Sequence, residues 1–234
     1  MAYVFDPPEQ PSVAIKGRGE RFPVRRIFCV GRNYAEHARE MGGDAGREPP
    51  FFFTKPADAV VENGATIPYP SRTDNLHHEV ELVLALGRGG RSVGREDALQ
   101  LIYGYAVGVD LTRRDLQAEA KKHARPWDVA KGFDRSAPTA AITPAAEAGP
   151  LERGRIWLAV NGDTRQQGDI ADMIWSPAEV LAELSTLVEL RPGDLVFTGT
   201  PAGVGRIGPG DEIRCGVHGL EELSFRLGEA ATAA

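Results

Sequence analysis

With 234 residues, 42% of them apolar, the chain can bury one sizeable core and reads as one domain behind a small N-terminal appendage. Its net charge of −6 offers no electrostatic footprint for nucleic acid, and no apolar run approaches the roughly 18 residues that a membrane span needs. Met1 to Gln10 carry acids and prolines instead of a basic and apolar leader, and Cys29 and Cys215 lie in apolar segments where a cytosolic protein keeps them reduced, so a cytoplasmic location is expected.

Residues 1–23 are rich in Pro, Gly and charge around one apolar run, Val13 to Ile15, and read as a lead-in hairpin. Ile27-Phe28-Cys29-Val30 follows as a short buried strand, and Tyr34 to Met41 has a helical pattern that Gly42-Gly43 stops. His37 and Glu40 then share one helix face. Such a pair is either a surface contact or a base and its orienter, of the kind that activates water. Gly42 to Pro50 is a loop rich in glycine, proline and charge, either a plain connection or the hinge of a cover. Phe51-Phe52-Phe53-Thr54-Lys55-Pro56 is an apolar strand after it.

Asn75 to Leu86 reads as one strand whose second half is buried on both faces. Alternation points Glu79 and Glu81 the same way, roughly 6 to 7 Å apart. At an effective dielectric of 20 their charges repel by about 2.5 kcal/mol, so a cation should lie between them. A third acid, Asp110, ends a second apolar strand from Tyr105. Three converging carboxylates would overcharge a single Lys and suit a hard divalent ion, Mg²⁺ or Mn²⁺, with Ca²⁺ less favoured and Zn²⁺ disfavoured. The plainer alternative makes Glu79 and Glu81 the solvated face of an edge strand and Asp110 a helix cap.

Arg95 to Leu101 fits a short helix. Thr112-Arg113-Arg114-Asp115 reads as a capping box opening a polar helix to about His123, with Gln117 one turn beyond Arg114. Lys131 lies among apolar neighbours in Pro126 to Asp134, either solvated or facing a site. Arg155 to Asn161 alternates as a strand, and Asn161-Gly162 is a hairpin turn. Ser176-Pro177-Ala178-Glu179 is a capping box before a core stripe of Val180, Leu181, Leu184, Leu187 and Val188. Gly199 to Gly205 is glycine-rich, but it lacks the Gly-Lys-Ser/Thr ending and the G-x-G-x-x-G spacing of nucleotide loops; it fits a loop that brings backbone N–H groups and the Thr200 hydroxyl to a small ligand. Strands near Glu212 to Val217 and Glu222 to Leu227 close an α+β, β-rich domain built on a mixed β-roll with peripheral helices, over residues 24–228, with an Ala-rich tail at 229–234 expected to fray.

Taken together and in order, Val30-Gly31-Arg32-Asn33-Tyr34-Ala35-Glu36-His37, His77-His78-Glu79-Val80-Glu81-Leu82, Gly104 to Thr112, Ala130-Lys131-Gly132-Phe133-Asp134 and Gly193 to Gly205 resemble the fumarylacetoacetate hydrolase family. The resemblance implies Mg²⁺ or Mn²⁺ held by Glu79, Glu81 and Asp110. It implies His37 and Glu40 as a water-activating dyad on a lid helix, and Lys131 contacting substrate oxygens. Arg114, Gln117 and Thr200 match positions that line the substrate site, and a homodimer is expected. The lead-in and the Glu48 to Ala59 stretch look most like the bacterial branch that cleaves fumarylpyruvate, a 2,4-diketo acid, to fumarate and pyruvate in gentisate-type aromatic catabolism. Decarboxylation of oxaloacetate or tautomerisation of a 2-oxo acid at the same metal site is the alternative activity; a non-catalytic, small-molecule-binding dimer is the remote one.

Overall fold

The computed structural model describes residues 2–40 and 48–230. At its centre is a six-stranded mixed sheet in the order Thr143–Pro144, Ile102–Val109, Val80–Leu86, Asp194–Phe197, Arg26–Gly31, Phe51–Lys55. Asp194–Phe197 pairs parallel to Arg26–Gly31 and antiparallel to Val80–Leu86. The apolar sequence of Val80–Leu86 follows from this middle position, where every one of its residues is buried. Alternation divides its side chains between two cores. Val80, Leu82, Leu84 and Leu86 face one cluster with Ile156, Leu158, Ile213 and Leu223 of a five-stranded sheet, while Val83 and Ala85 face a second with Ile27, Cys29, Leu195 and Phe197. This is the expected β-rich α+β roll with helices at its periphery.

The lead-in forms the expected antiparallel hairpin, Ser12–Ala14 with Arg21–Pro23, and its Val13 and Phe22 enter the second cluster. Asn161 and Gly162 take φ of 53° and 87° at their hairpin turn. The Ser176 capping box is present before the helix Pro177–Leu187. Both cysteines are buried free thiols. Among the described residues no helix is long and apolar enough to cross a membrane.

Three sequence expectations need correction. Asn75 to Leu86 is two strands, not one. Leu76–His78 joins a three-stranded sheet with Thr112–Arg113 and Gly205–Ile207, and the chain turns at Glu79 before Val80–Leu86 enters the main sheet. The capping box at Thr112 to Asp115 does not form: Thr112 lies in a strand opposite His77, and the Asp115 carboxylate accepts from Thr73 Oγ1 at 2.7 Å and Asp74 N at 3.0 Å. The helix Arg114–Lys122 starts after Arg113 without a side-chain cap. Leu187 is 61% exposed, because it falls at the end of its helix beyond the last turn that meets the core. Gly42-Gly43, most of the loop read as a hinge and the last four residues of the tail lie outside the described residues.

Asn33 shows how the sheet is clasped to its surroundings. Its amide nitrogen donates to Trp175 O at 2.9 Å and Thr198 O at 2.8 Å, and its oxygen accepts from Trp175 N at 2.7 Å. Gly199, with φ +94°, packs against it so closely that a Cβ would stand 2.7 Å from Asn33 Cβ. Asn33→Ala leaves two carbonyls and an N–H without this partner and is expected to destabilise the fold by about 3 kcal/mol. Urea unfolding of both proteins measures the difference.

Candidate active site

Glu79 lies between Leu76–His78 and Val80–Leu86, where the chain passes from one sheet to the other. Its backbone carbonyl accepts from Asp110 N at 2.8 Å, which fixes Asp110 beside it just after the strand Ile102–Val109. Glu81 stands opposite Gly108 in the neighbouring strand. Carboxylate oxygens of Glu79, Glu81 and Asp110 come within 4.8 Å of one another, and all three residues are buried.

Positive charge is unevenly shared among them. Lys131 Nζ donates to Glu79 Oε2 at 2.9 Å and Asp110 Oδ2 at 2.6 Å, and Arg114 Nη2 donates to Glu79 Oε1. Lys55 Nζ lies 2.8 Å from Asp110 Oδ1, but its hydrogen bonds go to the carbonyls of Leu111 and Lys131, and Asp110 Oδ1 is left without one. Burial opposes the charge on Glu79, yet Lys131 and Arg114 hold its carboxyl well below the ordinary carboxylate range. Burial likewise opposes the charge on Lys131, and Asp110 and Glu79 restore it above the ordinary lysine value. Glu81 has no such partner among the described residues. Its Oε2 accepts from Gly199 N at 2.6 Å, and burial together with the charges of Asp110 and Glu79 pushes its carboxyl well above the ordinary range. A buried all-oxygen set in which, among the described residues, one acid lacks a cation and an Asp110 oxygen lacks a hydrogen bond fits a hard divalent ion.

Over the same cleft stands the helix Ala35–Glu40. His37 Nδ1 is 3.3 Å from Glu40 Oε2, and Glu40 in turn accepts from Gly203 N at 3.2 Å. Burial holds His37 below its ordinary value of 6.5, against the pull of Glu79 and Glu40. The glycine-rich loop therefore serves both groups: its Gly199 N–H holds Glu81, and its Gly203 N–H holds Glu40. Gly203 has φ +92°, and a Cβ there would stand 2.2 Å from Arg165 O, so only glycine fits.

His37, Glu79, Glu81, Arg114, Gln117, Lys131 and Thr200 line one cleft, with Asp110 fully buried at its floor and Glu40 behind His37. Gln117 Oε1 accepts from Arg114 Nη1 at 2.6 Å, as their one-turn spacing predicted. Lys131, 2% exposed, is not solvated. Two residues of this arrangement escaped the sequence reading. Lys55 had a signal, since alternation along Phe51–Lys55 puts it on the face of Phe53, which also lines the cleft. Gln166 had none, standing buried in a strand with exposed neighbours. It accepts from Val80 N at 3.1 Å and donates to Thr200 Oγ1 at 2.8 Å, joining the loop to the acids' strand.

Residues 26–227 match the family model described as fumarylacetoacetate (FAA) hydrolase C-terminal. The solved structure of fumarylpyruvate hydrolase from Pseudomonas aeruginosa, in complex with Mn²⁺ and pyruvate, is 50% identical with a TM-score of 0.96, covering 97% of this chain and 100% of that one. By sequence the chain is 46% identical over 187 residues to a fumarylpyruvate hydrolase of Ralstonia sp, 80% of this chain and 97% of the relative. It is 44% identical over 200 residues to a mitochondrial oxaloacetate tautomerase of Arabidopsis thaliana, 86% of this chain and 89% of the relative.

Calorimetric titration of metal-stripped protein with Mn²⁺ is expected to show one site per chain. Glu81→Gln removes a negative charge without changing shape, and should weaken that binding at least tenfold; an undiminished affinity would take Glu81 out of the ligand set.

Proposed function

This chain belongs to the fumarylacetoacetate hydrolase family, and on that premise we propose that it hydrolyses a carbon–carbon bond of a 2,4-diketo acid, fumarylpyruvate, giving fumarate and pyruvate. The observation that carries this reading is the His37–Glu40 pair standing over a cleft floored by three carboxylates. A Mg²⁺ or Mn²⁺ ion held by Glu79, Glu81 and Asp110 would act as a Lewis acid toward the oxygens of the pyruvyl half. Everything else falls to side chains of this protein.

With Nδ1–H donating to Glu40, His37 keeps the lone pair of Nε2 for accepting a proton. Its lowered pKa leaves it neutral near pH 7, as a base must be. His37 takes a proton from water as the water oxygen bonds to the 4-carbonyl carbon, and Lys131 donates to the oxygen that becomes negative. The C3–C4 bond then breaks with its electron pair going to C3, and His37 returns the proton there. Arg114, Gln117 and Thr200 would hold the substrate's polar groups. The reading carries with it a cytoplasmic homodimer working in gentisate-type catabolism of aromatic acids, in keeping with two buried free thiols.

A second reading, tautomerisation or decarboxylation of oxaloacetate, is favoured by the 44% identity to the Arabidopsis tautomerase. Such a reaction needs the metal site but not a hydrolytic water.

His37→Ala is expected to lower fumarylpyruvate hydrolysis by about 10³-fold while Mn²⁺ binding persists. Fumarate and pyruvate formation, followed beside loss of diketone absorbance, checks this; if oxaloacetate is instead the better substrate and His37→Ala leaves its turnover intact, the second reading holds. Protonation removes the base, so kcat/KM should stay level above the His37 pKa and fall tenfold per pH unit beneath it, with the acid limb lying below 6.5.

A further inference from the structure

Two cations of the cleft are not engaged with its acids. Arg114 and Lys131 pair with Glu79, but among the described residues no ion pair involves Arg32 or Lys121, although both line the same cleft. Each is mounted on an aromatic ring. The Arg32 guanidinium lies 5.9 Å from the centre of Phe51, and Lys121 Nζ lies 5.2 Å from the centre of Trp127. The two rings meet edge to face, 5.2 Å apart.

The backbone is arranged to make this happen. Gly31 admits the Phe51 ring, since a Cβ there would stand 2.0 Å from it. The next residue, Arg32, has φ 58°, a conformation costly for a residue with a side chain. Lys121 reaches the cleft from the last turn of Arg114–Lys122. Burial, with the like charges of Arg114 and Arg32 nearby, holds it below the ordinary lysine value. Cations gathered without an anion repel one another, and among the described residues the acids that line this cleft are Glu79 and Glu81. A bound anion would supply the negative charge that Arg32 and Lys121 lack.

We propose that Arg32 and Lys121 bind a second carboxylate at the far end of the acyl group, so that the protein selects acylpyruvates whose acyl chain ends in an anion. This rests on the hydrolase reading. In this reading the acids hold the pyruvyl half, and the Phe53 and Trp127 rings, which line the cleft together with Arg32 and Lys121, offer apolar surface to a conjugated chain. An acyl group that is both saturated and uncharged gains neither contact.

The test compares fumarylpyruvate with acetylpyruvate, which ends in a methyl group. Arg32→Met and Lys121→Met are each expected to lower the ratio of the two kcat/KM values about tenfold, the worth of one charge-assisted hydrogen bond, and Lys121→Arg to recover most of it. Equal losses on both substrates, or none on either, would overturn the assignment. Lys121 stands on a helix surface, so its variants decide the matter if Arg32→Met does not fold by circular dichroism. If the wild-type protein cleaves neither acylpyruvate, the hydrolase reading fails by itself. Calorimetry on the Mn²⁺-loaded protein then judges the subsite: tighter binding of fumarate than of crotonate, lost in Lys121→Met, supports it, and equal binding of the two overturns it.

Discussion

Three carboxylates within 4.8 Å of one another, all shut away from water, set the terms for the rest of this molecule. Each buried charge without a partner costs several kcal/mol, and the mutual repulsion of the three adds to that. The protein answers with Lys131 and Arg114 at Glu79, and Lys131 and Lys55 at Asp110, but among the described residues it provides only a backbone N–H for Glu81. The shortfall of positive charge is thus localised at one residue. That is the electrostatic character of a site that recruits a divalent ion, and a purely structural salt-bridge network would have no reason to leave it open.

Gathering these groups takes several elements that are distant in the chain. Glu79 lies at the break between two strands of different sheets, Glu81 in the second of them, and Asp110 just after a neighbouring strand. The glycine-rich loop after Asp194–Phe197 links the acids to the His37–Glu40 pair, because Gly199 and Gly203 each present an N–H to one of the two sites. Gln166 ties this loop to the strand that carries Glu81. A shift of the loop would therefore disturb the three carboxylates and the His37–Glu40 pair together, which makes their relative position a single structural variable.

Besides its acids, the cleft holds two cations mounted on aromatic rings without acidic partners among the described residues. A ligand complementary to such a cleft offers oxygen donors to the acids and a negative charge to these two cations. Oxaloacetate also has two carboxylates, but its shorter chain puts them closer together than those of fumarylpyruvate.

Local pattern alone determined a good deal here. Period-two alternation and β-branched content gave the buried strands, the Asn161-Gly162 turn and the Ser176 capping box gave their neighbours, and helical spacing put His37 with Glu40 and Arg114 with Gln117. These features depend on contacts within a few residues, so they are visible in the chain itself. The break at Glu79, the failed cap at Asp115 and the exposure of Leu187 were not visible, since each was decided by a partner far away in sequence: Asp110 for Glu79, Thr73 for Asp115, and the limit of the core for Leu187. Whether Lys131 is solvated or buried, and whether the acids have an edge strand's solvated face or a shared pocket, was equally open in the chain. Only the tertiary packing that brings residues 79, 81, 110 and 131 together decided it, because charge compensation is a property of what meets in space.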